Sequence, residues 1–140
     1  MLKGSISSPT GKAMVVPDNT GSYSPVELDS ATWASMVAAG WSLTAGDVGP
    51  FVNNTGSSQD VVLVLTIFTG STAGSQLLYG ASVNGADPVK PYQVSGTATN
   101  VTRVVTGIVT VPNGGTVWPY VRSTTASTVN VTHIGAIMLY

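Results

Sequence analysis

Two strand-length runs that are apolar on both faces constrain this chain more than any other feature. Residues 60–69 read DVVLVLTIFT and residues 134–140 read IGAIMLY. A strand turns alternate side chains to opposite faces, so a run apolar at odd and even positions alike needs cover on both sides. The first run is broken only by Thr66 between Val61 and Phe68, and both are far shorter than the roughly 20 residues of a membrane span. They predict interior strands of a layered β fold.

The rest of the chain after Val48 is punctuated to match. Residues 53–58 (NNTGSS) and 70–74 read as turns, and residues 76–83 as a strand closed by the tight-turn pair Asn84-Gly85. Pro88 and Pro91 make the next stretch irregular or an edge strand. Residues 99–111 form a long strand with Val101, Arg103, Val105, Val109 and Val111 on one face, and Gly107 marks a bulge. Residues 112–115 (PNGG) read as a hairpin loop returning as residues 116–122, where Pro119 sits at a bulge or turns its nitrogen away from the neighbouring strand. Residues 123–127 form the last turn before the closing strand. Val (21), Thr (18), Ser (16) and Gly (16) dominate the 140 residues, a mixture that suits strands and turns. The fold class is all-β, an antiparallel two-sheet sandwich with no intervening helices after residue 46.

Residues 1–46 have a different texture, with Pro9, Pro17 and Pro25 and one helical segment at about 29–39. Asp29 is its N-cap, Gly40 its stop, and Trp33, Met36 and Val37 form one apolar stripe at i, i+3 and i+4. The expectation is an N-terminal arm with a short helix, 1–46, followed by a β domain, 47–140. The arm is read either as an anchor onto a larger assembly or as a lid on the β domain.

Only 8% of residues are charged, against about 25% in an ordinary soluble domain, and the formal net charge is -1. Copies of such a particle repel each other weakly, which favours obligate assembly. Lys3, Lys12, Lys90, Arg103 and Arg122 are scattered, so the counterion release that drives nucleic-acid binding is weak, and no nucleic acid is expected as partner. The N-terminal MLKGSI has no apolar core of signal-peptide length, so synthesis in the cytoplasm and no membrane partner are expected.

Three segments carry a resemblance. Residues 78–88 (LYGASVNGADP) resemble the strand-and-turn of C1q/TNF-like jelly rolls, above all those of bacteriophage virion proteins. Residues 106–121 (TGIVTVPNGGTVWPYV) are similar to that family's strand–turn–strand segment, with Gly115 where the family often has an acidic residue. Residues 128–131 and 136–140 resemble its final strand, which packs near a threefold axis. The resemblance implies a jelly roll that works as a homotrimer. Ile134, Ala136, Ile137, Met138, Leu139, Tyr140, Trp118 and Tyr120 would then form the trimer interface.

No catalytic chemistry is organised in the sequence. His133, the one histidine, lies inside the final strand with no nucleophile elbow to serve, and reads as a strand histidine with a satisfied hydrogen bond or as a pH sensor where three copies meet. Asp18, Glu27, Asp29, Asp47, Asp60 and Asp87 are spread singly, so no carboxylate pair can be nominated. With no cysteine there is neither a disulfide nor a thiolate metal site. Asn53-Asn54-Thr55, Asn100-Val101-Thr102 and Asn130-Val131-Thr132 match the glycosylation pattern, as a Thr-rich chain does by chance.

The expectation is a non-enzymatic protein without catalytic, cofactor or metal site. Its expected role is a homotrimeric decoration or cement protein on a phage capsid surface, partnered by itself and the major capsid protein. Met14, Val15, Val16, Trp33, Met36 and Val37 are the expected capsid anchor. The alternative is the receptor-binding head of a phage fibre or tail, using loops 53–58, 87–93 and 123–127.

Overall fold

The computed structural model describes residues 2–8, 13–16, 22–25, 40–43, 50–69, 76–89, 91–95, 100–123 and 127–139. Among them the regular elements are all strands: β1 (Leu2–Ser8), β2 (Ala13–Val16), β3 (Ser24–Pro25), β4 (Trp41–Leu43), β5 (Phe51–Asn53), β6 (Gln59–Thr69), β7 (Gln76–Val83), β8 (Tyr92–Ser95), β9 (Asn100–Val105), β10 (Val109–Val111), β11 (Thr116–Ser123) and β12 (Ser127–Leu139).

They form two antiparallel six-stranded sheets. In the first, β12 lies beside β6 along nearly its whole length, from Val129↔Thr69 to Leu139↔Asp60, with a register shift between Val131 and His133. β1 and β2 share the far side of β12, and β9 and β10 share the far side of β6. The second sheet runs β4-β5-β11-β7-β8, with β3 beside β11. From β5 onward the chain keeps changing sheets: β5 in the second, β6 in the first, β7 and β8 in the second, β9 and β10 in the first, β11 in the second, β12 in the first. This is a jelly-roll sandwich.

The two doubly apolar runs are the paired central strands of the first sheet. In β6, Val61 and Leu63 are fully buried, Val64 nearly so and Val62 half-buried. Facing them across the core, β11 alternates strictly, burying Val117, Pro119, Val121 and Ser123. Trp41, Phe51, Leu77, Tyr79, Ala81 and Val111 are also buried.

Several expectations change here. Residues before 47 are not merely an arm: they supply β1 and β2 to the first sheet and β3 and β4 to the second. An irregular, proline-marked sequence hides these edge strands because the partners of β1 to β3 lie far along the chain and β4, beside the neighbouring β5, has only three residues. The expected helix at 29–39 falls outside the described residues. The 112–115 turn is not a hairpin loop, since β10 pairs with β6 in one sheet and β11 with β5 and β7 in the other. It is an arch between sheets, and Gly115 is required there, because a Cβ would meet the Pro112 ring at 2.8 Å. Pro119 causes no bulge: it pairs with Ala81 in unshifted register and lies opposite the gap that β5 and β3 leave on the other side of β11.

The predicted 99–111 strand is two strands. Between the pairs Val64↔Val105 and Val61↔Val109, two residues of β6 oppose three of the other chain segment. That extra residue is a bulge, as Gly107 suggested, but it also flips the alternation. Val105 is therefore exposed (48%) whereas Val111 is fully buried, and the five residues expected on one face do not share it.

Candidate functional surfaces

At one end of the sandwich the loops are tied by a single buried asparagine. Asn53 ends β5, and its side chain is wholly buried. Its Nδ2 reaches the carbonyls of Ser57 (2.9 Å), Val111 (2.9 Å) and Pro112 (3.2 Å), while its Oδ1 accepts from the Thr55 amide (3.0 Å) and the Thr55 hydroxyl (2.7 Å). Gln59 Nε2 donates to Thr55 Oγ1 and Ser57 Oγ, and the Gly56 amide donates to Asn113 Oδ1. Loops 53–58 and 112–115 are thus one rigid unit, exposed at its tip. The Asn-Asn-Thr sequence is a structural knot whose first asparagine faces protein, not solvent.

At the edge where β7 and β10 approach across the two sheets lies an open cavity of about 240 Å³. Ala81, Pro88, Val89, Ile108 and Val109 are among its walls. The bulge pushes Ile108 out (64% exposed), and Val89 stands almost wholly in solvent (90%). The residues that line it are uncharged, and one of them, Thr110, donates its hydroxyl to the exposed Asp60 carboxylate at 2.7 Å. No sequence signal other than the Gly107 bulge pointed to it.

The outward face of β11 forms a third surface. Trp118 and Tyr120 are half-buried and meet edge to face, with centroids 6.1 Å apart. Two residues on, the Arg122 guanidinium lies 5.2 Å over the Tyr23 ring, a cation–π pair that joins β11 to the segment leading into β3. Partial burial pushes the Tyr23 pKa up, with Arg122 opposing the shift and Asp87 adding to it. Trp118 and Tyr120, expected in a trimer contact, therefore sit together on the second sheet.

Ile134, Ala136, Ile137, Met138 and Leu139 are on β12, flanked on both sides by β1 and β6. His133 is on the same strand, opposite Thr66. Met14, Val15 and Val16 form part of β2, opposite Val129, Thr128 and Ser127. Tyr140, Trp33, Met36 and Val37 lie outside the described residues. Among the described residues no three of His, Cys, Asp and Glu gather in a way that would hold a metal ion, and no helix is long and apolar enough to cross a membrane.

Among solved structures the chain is similar to an Eiger TNF structure from S. frugiperda, at 15% identity over 94% of each chain, with a TM-score of 0.48. No protein-family profile and no curated protein sequence matches it.

Proposed function

We propose that this chain is a structural protein of a bacteriophage virion, a homotrimeric decoration protein that stabilises the head shell by binding the major capsid protein between capsomers. One observation carries the reading: a sandwich with 8% charged residues presents exposed apolar side chains, Val89 and Ile108, at an open, largely apolar cavity. A surface of this composition gains by being covered, at roughly 25 cal/mol per Å² of apolar area removed from water. The trimer would cover apolar area between copies, and the shell contact would cover what remains.

Met14, Val15 and Val16 of the proposed anchor lie on β2, which among the described residues pairs only with β12, and its other edge would meet the capsid subunit. Deleting the first 45 residues would remove four strands of the sandwich, so the test uses point changes. Purified protein is mixed with expanded empty capsids and, separately, with host cells. Capsid binding that Val15→Asp abolishes while the trimer persists supports decoration. Binding to cells and not to capsids overturns it in favour of a fibre head, a reading helped by the hydrogen-bonded rigidity of loop 53–58.

A further inference from the structure

The chain contains two Asn-Gly pairs, Asn84-Gly85 and Asn113-Gly114, both exposed and both in turns. Asn-Gly is the pair in which a backbone amide most readily reaches the preceding side chain, because glycine puts no Cβ in the way. The fold treats the two differently.

Asn113-Gly114 is clamped. The Gly114 amide donates to Asn53 O at 2.6 Å, the Gly115 amide to Pro112 O at 2.8 Å, and Asn113 Oδ1 accepts from the Gly56 amide. Pro112 O is held in addition by Asn53 Nδ2. Here the amide that would attack is itself engaged, and moving it means opening the knot of both loops.

Asn84-Gly85 is held more lightly. Asn84 is at φ 52° and Gly85 at φ 79°; the Ala86 amide donates to Val83 O to close the turn, and the Asn84 amide donates to Thr116 O at 3.0 Å. Among the described residues the Gly85 amide donates to no acceptor. The Asn84 side chain has its Oδ1 held by the Thr116 amide at 2.9 Å. That donor sits where negative charge would develop on the oxygen during attack at Cγ, but the Gly56 amide is placed equally on Asn113 Oδ1. The two pairs therefore differ at the attacking amide, which is without an acceptor in Gly85 and engaged in Gly114.

We propose that Asn84 is a site of spontaneous deamidation, and that the fold protects the chemically equivalent Asn113. The Gly85 nitrogen loses its proton to solvent base and bonds to Asn84 Cγ. The Cγ–Nδ2 bond then breaks, and ammonia leaves with a proton from water. Water opens the resulting succinimide to aspartate or isoaspartate. Either product adds a negative charge to a chain whose formal net charge is -1, and isoaspartate also lengthens the turn backbone by one atom.

The test is a time course of the intact protein in mildly alkaline buffer, with peptide mapping by mass spectrometry, run beside the same protein in concentrated urea. In urea both pairs should react at comparable rates. In the native protein Asn84 should react at least about tenfold faster than Asn113, the factor expected from a difference of about one hydrogen bond in opening cost. Asn84→Gln should remove the acidic species from the native time course. Equal native rates, a faster Asn113, or a native Asn84 that stays intact while the urea sample reacts would each overturn the proposal.

Discussion

Buried polar atoms without partners mark where single residues limit stability. Tyr79 is fully buried, and among the described residues its hydroxyl has no hydrogen-bond partner. Burial alone pushes its pKa well above the ordinary value. A tyrosine whose pKa is raised by burial leaves stability independent of pH below the unfolded pKa of about 10 and lowers it as pH climbs further, because the unfolded chain releases the proton first. Tyr79→Phe should therefore be more stable by about 1 kcal/mol at neutral pH, since an unsatisfied hydroxyl is removed. It should also lose less stability on the alkaline side than the parent, with Tyr23 supplying a remaining slope; urea titrations at a series of pH values read both effects. Gly80 shows the opposite constraint. A Cβ there would overlap the Pro88 ring, which holds the loop after β7 against the strand. Gly80→Ala should cost about 1–3 kcal/mol by overpacking, and Pro88→Gly in the same chain should return part of it, measured as the shift in urea midpoint.

Among the elements, the β9–β10 break shows how one side chain replaces a stretch of ladder. Thr106 is buried; its amide donates to Leu63 O at 2.9 Å, and its Oγ1 accepts from the Leu63 amide at 3.1 Å. The threonine thus keeps both polar groups of Leu63 satisfied across the bulge, and Gly107 and Ile108 are free to leave the sheet. Thr106→Val strands the Leu63 amide and should cost about 1–3 kcal/mol, whereas Thr106→Ser should cost less. Hydrogen exchange at the Leu63 amide should quicken in the valine variant alone. The bulge was legible in Gly107, but its consequence for facing was not, because a one-residue insertion is invisible to alternation counted on a single strand. The central pair β6–β12 was legible for the opposite reason: apolar character on both faces holds whatever the register. β1 to β3 could not be read, since each is paired with a strand far along the chain and no local pattern encodes that, and β4, which pairs with the neighbouring β5, is only three residues long. Asn53 shows the same limit at the site. Its sequence matches a glycosylation triplet, and only the fold reveals that its side chain is spent on the carbonyls of Ser57, Val111 and Pro112.

At the scale of the whole molecule, the sparse charge decides what kind of assembly the chain can make. Eleven charged side chains in 140 residues leave little to build an ionic interface, so contact between copies has to rest on apolar area. Ionic contacts between exposed groups weaken as salt rises, because the screening length falls from about 10 Å at 0.1 M to about 3 Å at 1 M; apolar burial is untouched or strengthened. The proposed homotrimer should accordingly sediment at three times 14.2 kDa, and its dissociation should not increase between about 0.1 and 1 M salt. Ile108→Asp puts a charge on an exposed apolar wall of the opening without touching the buried core. If that edge is covered in the trimer, the substitution should shift the chain toward monomer while leaving the urea midpoint of the isolated sandwich unchanged. A trimer that keeps its mass with the aspartate in place would put the opening on the outside of the assembly, facing the capsid partner.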